Sequence, residues 1–233
     1  MELTDDIRKK RFSSPLDSHM LKTANEYTCL AALKYFYNEK YKHLKHSDAP
    51  DLQDVVNNIA IEITDSITPQ DAQTIGEFSR LIHTGNEKVK VKCRQKITAN
   101  GAKLQGDGFM IWKPRSDTDE KEALVQAIQC KLKKINDYHQ KGFRKLGLMI
   151  YHERPLLMLT KENIESFFIE MQKEHKEKFD FIYVLSIYEL LYYNCITKEK
   201  ELFEISSEDR RSFGNIGRMA AEGEIKDDDP IWK

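Results

Sequence analysis

Apolar positions between Leu21 and about Tyr41 recur every three or four residues, which predicts a helix with Glu26, Leu30, Leu33 and Tyr37 on one stripe. The segment HSDAP stops it, because Pro50 restricts Ala49 to extended or turn geometry. LQDVV then reads as a short strand, NN as a turn and IAIEITDSI as a central strand. A second helix is expected over PQDAQTIGEFSRLI, with Thr68 as cap and Pro69 at its first position. KVKVKCRQK alternates with period two and predicts an edge strand, with Lys88, Lys90, Lys92 and Arg94 on one face and Val89, Val91 and Cys93 on the other. GAKLQGDG reads as a hairpin or mobile loop, and FMIW as a strand stopped by Lys113–Pro114.

The helical pattern is clearest from Asp117 to Gly142. Leu124, Ile128, Leu132 and Ile135 form its apolar stripe, acids open it, and lysines gather towards its end as the helix dipole prefers. LGLMIY and FDFIYVLSI are buried strands on either side of an amphipathic helix, TKENIESFFIEMQKEH. This alternation predicts an α/β fold, a central mixed β-sheet flanked by helices. Residues 1–205 are expected to form one domain and residues 206–233 an acidic, polar and least ordered tail.

With 40% hydrophobic residues, 6 prolines and 10 glycines, most of the chain is expected to fold. No apolar run reaches the length of a membrane span, and Met1–Arg11 is charged throughout, so neither a span nor a signal peptide is expected. Cys29, Cys93, Cys130 and Cys195 lack metal-site spacing and read as reduced cysteines of a cytoplasmic protein. His83, His139, His152 and His175 are scattered, and none is singled out as a ligand or base. Charge is uneven. Glu87 to Lys145 holds 15 basic and 7 acidic residues in a chain whose net charge is −1, so this segment could face a polyanion. The row Lys88, Lys90, Lys92 and Arg94 suits phosphate contacts, or simply protects an edge strand. Tyr183, Tyr188, Tyr192 and Tyr193 read as core packing or a homodimer interface, with base stacking as the alternative.

Two carboxylates carry the candidate chemistry. Asp51 follows Pro50, and Glu62 stands eleven residues later inside an apolar run, where an ionised group needs a cation or hydrogen-bond donors. A tight turn between their strands would bring both side chains to one end of the sheet. Mg²⁺, or Mn²⁺, would relieve their repulsion, with the Ile63 carbonyl as a further oxygen ligand.

Pro50–Asp51 followed by Glu62–Ile63–Thr64 resembles the motif of the PD-(D/E)xK nuclease superfamily, whose core is a mixed sheet flanked by helices. The resemblance covers roughly residues 21–186. It implies a restriction-endonuclease-like core in which Asp51 and Glu62 are the two metal-binding acids, and metal-dependent hydrolysis of DNA phosphodiester bonds. Thr64 stands where the superfamily has a lysine. In branches with a similar core strand that lysine comes from the helix after the sheet, which implies Lys131, with Lys134 and Gln126 as weaker candidates. The superfamily's occasional acid from the first helix implies Glu26. The alternative is a catalytically inactive nucleic-acid-binding or protein-interaction module on the same scaffold, of the kind found among phage and defence proteins.

Overall fold

The computed structural model describes residues 16–105, 109–111, 116–139, 141–226 and 229–232. The stop at Lys113–Pro114 and the charged start of the chain lie outside these. The chain divides into two compact units, Met1–Leu21 with Thr68–Arg115, and Lys22–Ile67 with Ser116–Lys233. Thr68–Arg115 of the smaller unit thus stands in sequence between the two segments of the larger.

The larger unit is a mixed α/β structure. Helices α1 (Ser18–Phe36) and α2 (Asn38–Tyr41) lead into strands β1 (Lys45–His46), β2 (Leu52–Asp54) and β3 (Ile59–Asp65). The smaller unit supplies α3 (Pro69–His83), α4 (Glu87–Ala99), β4 (Lys103–Gln105) and β5 (Phe109–Ile111). The chain resumes with α5 (Asp117–Leu132), α6 (Ile135–His139), β6 (Lys145–Tyr151), α7 (Ile164–Gln172), β7 (Phe181–Leu185), β8 (Glu189–Asn194), β9 (Lys200–Glu204) and α8 (Ser207–Ala221). The main sheet runs β1-β2-β3-β6-β7-β8-β9, parallel across β3, β6 and β7 and antiparallel elsewhere. Among the described residues, no helix is long and apolar enough to cross a membrane.

Alternation along the central strands divides the core in two. Ile59, Ile61 and Ile63 join Met149, Tyr151 and Tyr183 in a cluster that includes Leu30 and Leu33 of α1. Ala60, Leu146, Leu148, Ile150, Ile182 and Val184 join Leu124 and Ile128 of α5 and Phe168 of α7. Helices cover both sides, which explains why these strands read as continuous apolar runs rather than half-buried ones. Gly147 lies beside Phe181, whose ring occupies the space a Cβ at that position would need. Tyr183, Tyr192 and Tyr193 are core residues, while Tyr188 is exposed.

Two sequence expectations are corrected. KVKVKCRQK is helical: it lies within α4, where the Asn86 side chain caps the helix by accepting from the Lys88 and Val89 N–H groups. Val89, Cys93 and Ile97, at four-residue intervals, face the core of the smaller unit with Leu81 and Ala102, and Val91 is exposed. At about 100° per residue, Lys88 and Lys92 fall on one side of the helix and Lys90 and Arg94 on another, so the four cations do not form one row. The polar tail is also corrected. Ser206 caps α8 by accepting from Asp209 N–H at 3.0 Å, and Phe213, Ala220, Ile225 and Trp232 are buried in the core cluster. Gly217 lies so close to Thr28 and the Ala24 carbonyl of α1 that a side chain there would collide with both.

The cap on α3 is as expected: Thr68 Oγ1 accepts from Asp71 N–H at 3.1 Å, and Pro69 opens the helix. At α7, Asn163 Oδ1 accepts from Thr160 N–H at 2.8 Å and Asn163 Nδ2 donates to the Met158 carbonyl at 2.7 Å.

Candidate active site

The β2–β3 hairpin accounts for the eleven-residue spacing. Asp54 accepts from Asn57 N–H and Asn57 Nδ2, both at 2.8 Å, and Asn58 takes a left-handed conformation with φ 57°, which asparagine tolerates. The turn fixes Leu52 opposite Ile61. The next position in that register sets Asp51 across from Glu62. Ile63 N–H closes the arrangement by donating to Asp51 Oδ2 at 2.7 Å.

Glu62 lies on the α5 side of the sheet, with Ala60. Its Oε1 receives two donors, the Lys131 ammonium of α5 and, at 2.7 Å, the Tyr138 hydroxyl of α6. Lys131 Nζ is also 3.9 Å from Asp51 Oδ2, so one cation is shared by both acids. Asp51 and Glu62 are buried, and Glu62 Oε2 has no hydrogen-bond partner among the described residues. Burial first, and the Glu62 charge second, raise the Asp51 carboxyl to about 6, against the opposing pull of Lys131 and the Ile63 N–H.

Glu26 joins from α1. Its Oε2 is 2.7 Å from His46 Nε2 and its Oε1 is 3.1 Å from Lys22 Nζ, which lies 4.0 Å from Asp51 Oδ1. Burial opposes ionisation of Glu26, but His46 and Lys22 outweigh it and hold the carboxyl below its ordinary range. His46 is stacked on Tyr27 with ring centroids 4.4 Å apart. At the end of β3, Asp65 accepts from Asn25 Nδ2 at 3.2 Å, yet burial keeps its carboxyl raised.

Asp51, Glu62 and Lys131 thus come together, with Glu26 linked through Lys22. Lys134 and Gln126 are exposed on other parts of their segment. Lys88, Lys90, Lys92 and Arg94 belong to the smaller unit. His83 bonds to Ser79 within α3, and His175 meets Gln129 at 3.0 Å. The four cysteines are unpaired. Lys22, His46 and Tyr138 were not singled out by sequence. The Lys22–Glu26 spacing of one helical turn was the available signal for the first, whereas His46 and Tyr138 reach the site only through tertiary packing.

The buried carboxylates of Asp51 and Glu62 are oxygen donors of the kind a hard divalent ion takes. The unpartnered Glu62 Oε2 fits that role. No group of three or more His, Cys, Asp and Glu side chains poised to hold a metal occurs among the described residues. Comparisons with family models, curated proteins and solved structures yield no match.

Proposed function

We propose that this site hydrolyses phosphodiester bonds of DNA in a Mg²⁺- or Mn²⁺-dependent reaction, on a core of the restriction-endonuclease-like kind. The observation that carries the reading is the Lys131 ammonium, delivered from α5 between Asp51 and Glu62, where it supplies the cation that Thr64 lacks. Asp51, Glu62 and the Ile63 carbonyl would hold the ion, which when bound supplies polarisation of the scissile phosphate and a more acidic attacking water.

The chain's own groups do the rest. Tyr138 donates to Glu62 Oε1 and fixes the carboxylate so that Oε2 remains available. Lys131 orients the attacking water and stabilises charge developing on the phosphoryl oxygens. Lys22, on the exposed side of Glu26 and Asp51, balances the acidic group and lies where a phosphate could approach.

A second reading is favoured by the saturation of Glu62 Oε1. Lys131 and Tyr138 already satisfy that atom, and a lysine set between the two acids offsets part of their charge without any ion. The chain would then be an inactive nucleic-acid-binding or protein-interaction module.

Single-turnover cleavage of labelled single- and double-stranded DNA with Mg²⁺ or Mn²⁺, beside calorimetric metal titration, separates the two. Asp51→Ala and Glu62→Ala should abolish both cleavage and metal binding. Lys131→Ala should retain metal binding but slow the chemical step. A wild-type protein that cleaves neither DNA nor RNA and binds no divalent ion overturns the catalytic reading in favour of the module.

A further inference from the structure

The two edges of the main sheet are unlike. β1 is two residues long, whereas β9 presents five, with an unbroken register against β8 and no proline or glycine. Among the described residues β9 pairs with β8 alone. Asn194 N–H donates to the Glu199 carbonyl at 2.9 Å, and Ile205 N–H to the Tyr188 carbonyl at 2.7 Å. Hydrogen-bonded pairs alternate in an antiparallel ladder, so Lys200, Leu202 and Glu204 turn their N–H and C=O groups away from β8. Leu202 is 41% exposed. Natural sheets usually blunt such an edge with proline, a bulge or several charges. Here neither proline nor a bulge interrupts the strand, and its charges are of both signs: Lys200, which also meets Glu165 of α7 at 2.9 Å, with Glu201 and Glu204.

We infer that β9 is a self-association edge, on which a second copy of this chain docks antiparallel about a twofold axis through Leu202. That register sets Leu202 opposite the partner's Leu202, and Lys200 opposite the partner's Glu204 in both directions. Each outward-pointing residue meets another outward-pointing residue, as the ladder requires. Registers shifted by two positions lose a pair and set charge against leucine, and larger shifts bring like charges together. The arrangement also answers a local imbalance. Glu204 stands opposite Glu189 on β8, whose carboxyl is raised by burial and by the charges of Glu120 and Glu204. A lysine from the second copy arrives beside this acidic pair. The inference does not depend on the proposed chemistry of the carboxylate site.

An edge of five residues buries little area, so the dimer should form in the micromolar-to-submillimolar range. The test is sedimentation equilibrium over that range, with amide hydrogen exchange at Lys200, Leu202 and Glu204, and circular dichroism to verify that each variant is folded. The wild type should dimerise. Lys200→Glu or Glu204→Lys should weaken association by at least about tenfold, because cross-strand attraction becomes repulsion, and the double exchange should restore it. The three amides should be protected at high concentration and exchange rapidly in the single variants. A wild type that stays monomeric overturns the inference, as does a dimer indifferent to either charge reversal. Slow exchange of the three amides in a monomer also overturns it, since another segment of the chain would then cover the edge.

Discussion

Replacing Asp51 by asparagine should make the protein more stable at neutral pH, and the gain should depend on pH. The Asp51 carboxyl is raised from its ordinary 3.8 to about 6 by burial and by Glu62. Below about pH 4 it is neutral in both the folded and the unfolded chain, and its burial carries no ionic penalty. Between pH 3.8 and about 6 the unfolded chain releases the proton while the folded chain keeps it, so stability falls as pH rises. Above about 6 the folded carboxyl is ionised as well, and the penalty levels off at about 3 kcal/mol. The substituted amide cannot ionise but keeps an oxygen to accept from Ile63 N–H, so the difference between variant and wild type isolates the ionisation. Urea unfolding of both proteins from about pH 3.5 to 8 should show Asp51→Asn gaining about 3 kcal/mol on the wild type across this window. A stability difference that stays flat with pH would refute the account of two buried acids sharing too little positive charge.

Gly217→Ala should destabilise the larger unit by about 1–3 kcal/mol, read as a lower urea midpoint, because the added methyl meets Thr28 and the Ala24 carbonyl. An unchanged midpoint would mean that α8 does not seat against α1. Tyr138→Phe removes the 2.7 Å donor to Glu62 Oε1 and should cost about 1–2 kcal/mol in the same measurement; no loss would mean that Lys131 alone satisfies that oxygen.

The sheet was legible because its central strands are covered on both sides and so appear as uninterrupted apolar runs. The carboxylate hairpin was legible from its spacing, and Lys131 entered only through the resemblance, which takes its lysine from the helix after the sheet. What escaped sequence reading has specific causes. Val89, Val91 and Cys93 alternate as a strand would, and only Ile97, beyond that window, with the Asn86 cap, reveals the four-residue period of α4. Around Gly217 and Ala220, α8 packs through small residues rather than large apolar ones, so its buried stripe looked like a polar tail. The site itself was half visible. The hairpin half is encoded within a few residues, whereas Tyr138 and His46 enter from elements whose meeting no local pattern records.

The interruption of the larger unit between β3 and α5 separates the parts of the site by very different lengths of chain. Asp51 and the Ile63 N–H are 12 positions apart, while Glu62 and Lys131 are 69 apart. Hairpins close in microseconds, and contacts across a long loop wait for the chain between them to be gathered in. The two acids are therefore expected to meet first and their counter-ion to arrive late, so the growing fold passes through a stage in which the repulsion is unrelieved. Low pH, which keeps Asp51 neutral, should speed that passage. Stopped-flow refolding across the same pH range would expose it as a rate that slows as Asp51 ionises.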